Sequence, residues 1–298
     1  MTGIGDRPAS DPMAGIGLLL LAVVVFSVMD ALIKWTSADY PTVQVVFFRA
    51  VFAFLPLSLF IARRGGVAVL RTRRPLAHVL RCLVGISSMF LGFWALDLMP
   101  LADVIAIGFA GPIFLTALSV PLLGEVVGWR RLSAVFVGFL GVVVMVRPGS
   151  NVFTPVALIP VLGAVGYAFA MVLVRKLTAT ETIAAIVFYF TATTTVVSGV
   201  ALPFFWVTPK LADFGLLAAI GLCGGIAQLL MTRAFQIAPA SLIAPFEYSA
   251  MIWAVALGWL IWSELPDSFI WAGSTVVIAS GLYILHREAV LARRRAQP

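Results

Sequence analysis

Charge is scarce in this sequence. Only 11% of its 298 residues are Asp, Glu, Lys or Arg, against about 25% in a soluble domain. Cysteine is nearly absent. Cys82 and Cys223 both fall in apolar stretches and make neither a CxxC pair nor a disulfide framework. Histidine is just as rare, with His78 and His286 at segment ends, so no His/Cys cluster is available and no metal is expected. The chain contains no GxxxxGK[ST], HExxH or G-x-S-x-G stretch. A nucleotide-driven step, zinc-dependent hydrolysis and a serine nucleophile therefore have no sequence support, and the chain is read as a non-enzyme without a cofactor. The net charge of +7 does not point to nucleic acid, because the basic residues lie between apolar runs.

What the sequence does hold is apolar: 62% of residues are hydrophobic. A membrane-spanning helix needs about 20 mostly apolar residues. Runs of this kind fall near 14–35, 43–62, 78–97, 102–123, 131–147, 155–175, 183–203, 213–235, 241–262 and 269–286. The first run is too long for a signal-peptide core and lacks a basic lead, so it is expected to stay as a span. Arg63-Arg64-Gly65-Gly66, Met99-Pro100, Arg147-Pro148-Gly149, Pro209-Lys210 and Leu265-Pro266-Asp267 separate the runs. The fold class is all-α integral membrane with ten transmembrane helices.

Alternating the ten spans leaves Lys34, Arg49, Arg147 and Lys210 on one side and the other sixteen of the 20 basic residues on the opposite side. By the positive-inside rule the crowded side is cytoplasmic, with both termini. The halves also resemble each other. At an offset of 139 residues Ala95, Pro100, Ala117-Leu118 and Glu125 meet Ala234, Pro239, Ala256-Leu257 and Glu264. At 141, Phe26 meets Tyr167 and Lys34 meets Arg175. Five spans is an odd number, so the second half enters the membrane upside down. The expected organisation is two inverted five-helix repeats, 14–147 and 155–286, with cytoplasmic tails 1–13 and 287–298. Such repeats place a substrate site near the midplane between them.

These landmarks resemble the drug/metabolite transporter superfamily, specifically its ten-helix EamA-type exporters. The residues that carry the likeness are Arg49 early in the second span, the Pro100-Leu-Ala turn, Pro112 and Gly124-Glu125. Pro239-Ala-Ser, Pro245 and Glu264 repeat the pattern, with Ser263 standing where a glycine is expected. The likeness covers essentially the whole chain. It implies export of small metabolites, amino acids and aromatic amino acids among them, across the bacterial inner membrane.

Ionisable groups within a span usually face a bundle interior or water. Ser27, Asp30 and Lys34 share one face of the first helix. They read either as a cavity stripe, with Asp30 a proton site, or as an interfacial pair with Lys34 reaching to the headgroups. Arg49 offers a fork to a substrate carboxylate or a tie to Asp30 or Asp97. On the third helix Ser87, Phe90, Trp94 and Asp97 share a face, and on the eighth Gln228, Thr232 and Gln236 do, so Trp94, Asp97 and Gln228 are expected at a cavity. Pro245-Phe246-Glu247-Tyr248 joins a helix-disturbing proline to a carboxylate and two aromatics. Pro112 plays a similar helix-shaping part, and Glu247 is the strongest candidate for an ammonium or a proton. Tyr167, Tyr189, Phe246 and Tyr248 could stack on a ligand or simply pack. Small residues in the fifth and tenth spans suit close helix contact or a dimer seam.

The sequence thus favours a secondary transporter of amino acids or related small metabolites, working by alternating access as monomer or homodimer in the lipid bilayer. Carriage of another solute (a drug, a vitamin such as riboflavin, a nucleotide-like compound), a channel and a membrane-embedded enzyme are the alternatives.

Overall fold

In a computed structural model the chain is helical, with no strand among the described residues, which are 12–123, 129–146, 154–178, 180–237 and 244–296. The Gly124-Glu125 motif and the Pro239 turn lie outside them. The α-helices are α1 (Pro12–Ser37), α2 (Thr42–Arg63), α3 (Pro75–Leu98), α4 (Leu101–Gly108), α5 (Gly111–Leu123) and α6 (Trp129–Val146) in the first half. The second half has α7 (Leu158–Thr178), α8 (Ile183–Ala201), α9 (Leu211–Ile237), α10 (Ala250–Trp262) and α11 (Ser268–Ala296), which extends beyond the span expected to end at 286.

Among the described residues six helices are long and apolar enough to cross a membrane: α1, α2, α3, α7, α8 and α9. Shorter apolar segments at 101–115, 136–146, 246–262 and 268–283 supply the remaining four of ten. These fall at the fourth and fifth places of each half, so the repeat extends to where the spans are short. The fourth span is broken at Phe109–Ala110, between α4 and α5. The described part of the ninth is a 3-10 helix, Ala244–Ser249, followed by α10. Pro112 and Pro245 were expected to disturb a helix from within. Pro112 instead stands in the first turn of α5, where the missing N–H has no intrahelical partner to lose, and Pro245 stands in the 3-10 segment Ala244–Ser249.

The packing has a pseudo-two-fold pattern. α1 lies against α9 as its counterpart α7 lies against α3, while α2 meets α8, α4 meets α10 and α6 meets α11. Two contacts make the symmetry explicit. Phe109 and Tyr248, 139 residues apart in sequence, meet edge to face at 5.1 Å. A Cβ on Gly141 would stand 2.9 Å from the Gly273 carbonyl oxygen, and the Ser280 hydroxyl donates to the Ala134 carbonyl, so the pairs 141/273 and 134/280 exchange under the same offset. The small residues of the fifth and tenth spans therefore join the two halves of one chain. Leucines, valines and tryptophans such as Leu55, Leu59, Val200, Trp259 and Leu260 cover the outer surface, as lipid contact requires.

Candidate substrate cavity

A cavity of about 430 Å³ lies between the halves. Four spans of each half line it: α1 to α4 from the first, and α7 to α9 with the 3-10 turn and start of α10 from the second. Among the described residues α6 and α11 contribute nothing to its wall. The broken fourth span gives Gly108 and Phe109, and the 3-10 turn gives Glu247 and Tyr248. Interrupted helices at matched places are where inverted-repeat carriers build their sites, because backbone released from helix is tolerated in a membrane only beside protein or a water-filled cavity.

Most of the lining is apolar, and among the described residues four charged ones stand in it: Asp30, Arg49, Arg81 and Glu247. Arg49 lies within electrostatic reach of Asp30, so the tie between them outweighs one to Asp97. Its guanidinium sits 6.0 Å from the Phe93 ring, and its Nε has no hydrogen-bond partner. Gly224 of α9 makes the room for it, since a Cβ there would be 3.2 Å from Arg49 Nε. Arg81 is 8% exposed, with its guanidinium carbon 3.9 Å from the centre of the Phe190 ring and Nε and Nη1 unpartnered. Gly85, one turn on, keeps that face open. Glu247 has Tyr167 and Tyr248 as electrostatic neighbours. Ser88 on α3 donates to the Gly163 carbonyl of α7 at 2.8 Å, joining the halves across the wall.

Of the residues singled out from sequence, Ser27, Asp30, Arg49, Tyr167, Gln228, Glu247 and Tyr248 line the cavity. Lys34 does not, and it pairs with Glu264 rather than Asp30. Its ammonium is 3.2 Å from the Glu264 carboxylate, donates to the Met99 carbonyl at 2.8 Å and lies 5.3 Å from the Trp262 ring. Trp94 and Asp97 are exposed, because the face of α3 turned to the cavity runs through Arg81, Gly85, Ser88, Gly92 and Leu96, one residue round from the face expected. Tyr189 lies elsewhere, its hydroxyl donating to the Leu70 carbonyl at 3.1 Å and its ring against His78 at 4.7 Å. Phe246 packs beside Leu19 and Ala234.

Arg81 is not legible as a cavity residue from sequence, because its place near a span end makes it one of the sidedness charges. The recurrence of Arg81, Gly85, Ser88 and Gly92 on one helical face was the signal available.

Both ends of the bundle are tied across the halves. At the end assigned outside, Lys34 holds Glu264, the Tyr40 hydroxyl donates to Asp213 at 2.7 Å, and buried Gln44 exchanges hydrogen bonds with the Val207 backbone at 2.7 and 2.9 Å. At the other end the Thr182 hydroxyl donates to the Val69 carbonyl, and Glu181 accepts from the Arg73 N–H at 3.1 Å. Burial pushes the Glu181 carboxyl up, but the hydrogen bonds from the Arg73 N–H and Thr72, with the His78 ring 3.6 Å away, outweigh it and hold it below the usual carboxylate range. Among the described residues no group of three or more His, Cys, Asp and Glu could hold a metal ion.

Comparison with known proteins agrees with this architecture. A solved structure superposes with a TM-score of 0.67 at 20% identity, covering 97% of this chain and all of that one. The S-adenosylmethionine uptake transporter of Rickettsia bellii is 31% identical over 92% of this chain and 94% of its own. The pseudopaline exporter CntI of Pseudomonas aeruginosa is 35% identical, with 90% and 94% covered. A riboflavin transporter of Rhizobium johnstonii is 28% identical, with 100% and 98% covered. The EamA-like transporter family matches residues 13–147 and again 154–286. A multi-pass helical membrane protein whose halves each match that family, and which encloses a cavity between them, belongs to the EamA-like transporter family.

Proposed function

We propose that the protein is a secondary carrier that exports an amino acid or a related small metabolite across the bacterial inner membrane by alternating access, its two inverted halves rocking about the cavity. One observation carries this: matched spans of both halves wall a single cavity that holds four charged side chains in an otherwise apolar lining. Charges in a membrane interior are expensive and are kept where function needs them. With no nucleotide motif, the energy comes from an ion or substrate gradient. Asp30 and Arg49 form the polar tie within the site, Glu247 receives an ammonium or a proton, and Tyr167 and Tyr248 flank the ligand. The two halves are the first and second sequence repeats, and both termini are cytoplasmic. Relatives named for uptake and for export share the architecture, so direction follows the gradients. Export is assigned here on the likeness to the 35% identical exporter.

The test is counterflow in liposomes with labelled amino acids, S-adenosylmethionine and riboflavin. Saturable exchange of an amino acid that Glu247→Gln abolishes supports the reading. Exchange confined to riboflavin replaces the cargo, and ionic current without saturation replaces the carrier with a channel.

A further inference from the structure

The four cavity charges do not form two pairs. Asp30 and Arg49 lie within electrostatic reach of each other and offset one another. Arg81 and Glu247 are left, and among the described residues neither has a countercharge. Arg81 stands on α3, which packs against α7 and α8, with a phenylalanine ring beneath it and the Cys82 thiol beside it. Glu247 stands on the 3-10 turn, which packs against α1, α10 and α11, between two tyrosines. They belong to separate walls of one cavity. The repeat does not duplicate them either: at the offset of 139, Glu247 falls on Gly108 and Arg81 on Ile220. The backbone of the site is pseudo-symmetric and its charge is polarised.

Resting on the carrier reading, we propose that the site takes an elongated amphoteric ligand, with an anionic group on Arg81 and a separate cationic group on Glu247. The ammonium nitrogen and carboxylate carbon of an α-amino acid are only about 2.5 Å apart, two bonds along the chain. A sphere of the cavity's volume is about 9 Å across. Arg81 and Glu247 are not electrostatic neighbours of each other, so an amino-acid head alone engages one wall and leaves the other charge bare, which is the costly outcome for a desolvated ionised group. A ligand with its second charge at the far end of an apolar body satisfies both walls and fills the space between. Arg81 lines the cavity with the hydrogen-bonding capacity of its Nε and Nη1 unspent, and a guanidinium can grip a planar oxyanion by two N–H groups.

Straight-chain ω-amino acids from glycine upward form a ruler for this, each compared with the alkylamine and the alkanoate of equal length. Binding is read as the thermal shift of the full-length protein in detergent. The expected result is an optimum at an intermediate length, where the ω-amino acid binds at least about tenfold more tightly than either singly charged partner, a difference of about 1.4 kcal/mol. Arg81→Gln should erase the preference over the alkylamine, and Glu247→Gln the preference over the alkanoate. Arg81→Lys, which keeps the charge and loses the fork, should retain the preference at reduced affinity, and the ligand-free melting of each variant reports its folding. A length dependence that merely follows the singly charged series overturns the proposal, as does no shift at any length or an optimum untouched by both charge-removing variants. Counterflow on the same preparation separates the two readings: flux with a flat length dependence leaves the carrier and removes the two-pole site, whereas no flux of any cargo removes the carrier.

Discussion

α9 is seated on α2 through three glycines, and the seat can be measured. Building a Cβ on Gly225 places it 2.6 Å from Pro56 Cγ and 3.0 Å from both the Cα and the carbonyl oxygen of Ala53. Ordinary carbon contacts begin near 3.5 Å, so Gly225→Ala requires roughly half an ångström or more of separation, and two of the three obstacles are backbone that cannot rotate away. Overpacking of this kind costs about 1–3 kcal/mol. Gly215 lies on the same helix with nothing within 4 Å of its would-be Cβ. There the same substitution gains only helix propensity, up to about 1 kcal/mol. The two variants should therefore differ by about 1–4 kcal/mol, which for a chain of this size is a gap of roughly 2 °C or more in Tm. The assay is a thermal scan of each purified variant in one detergent at one scan rate. Equal melting of Gly225→Ala and Gly215→Ala would refute the claim that α9 rests on the backbone of α2. Because Gly224 makes room for Arg49 in the same interface, the seat also sets the position of a cavity charge.

Two further outcomes follow from the end of α10 and from the outer tie. Ser263 has φ 57° and is the one non-glycine with positive φ among the described residues, so Ser263→Gly should raise stability by about 0.5–1 kcal/mol, seen as a higher Tm; a lower Tm would mean that its side chain makes a compensating contact. In a double-mutant cycle, Lys34→Met and Glu264→Gln should couple by about 1 kcal/mol, since their side chains are 11% and 30% exposed at 3.2 Å, and strict additivity would show that the ion pair contributes nothing.

The Ser263 geometry also explains a motif. The chain turns left-handed there, the Ser263 N–H bonds to the Trp259 carbonyl, and the Glu264 N–H reaches back to the Gly258 carbonyl. The turn carries Glu264 toward Lys34. A glycine before glutamate is what such a turn prefers, which is why that dipeptide was readable as a landmark before any coordinates.

Much else was readable for similar local reasons. Length and hydropathy set the spans, and odd parity set the inversion. Ser27 and Asp30 lie where a helical wheel of α1 puts them. What failed depended on rotation or on distant partners. On α3 the choice between Ser87–Trp94–Asp97 and Ser88–Gly92–Leu96 is one residue, about 100° of turn, and both faces are apolar enough that hydropathy cannot choose. Lys34 has a carboxylate one turn back at Asp30, yet its partner is Glu264, 230 positions on. Arg81 carried two meanings at once, a charge near a span end and a charge in a cavity, and composition reports only the first.

The seam between α6 and α11 has a mechanical consequence. Where Gly141 meets Gly273 the two backbones touch, with no side chain between them to change rotamer or slide. In the proposed carrier such a contact would serve as the spine of a book whose covers are the other eight spans. Substitutions on the facing pages can change which cargo is held without loosening the binding. That arrangement suits a family whose members keep one scaffold while being named for S-adenosylmethionine, pseudopaline and riboflavin.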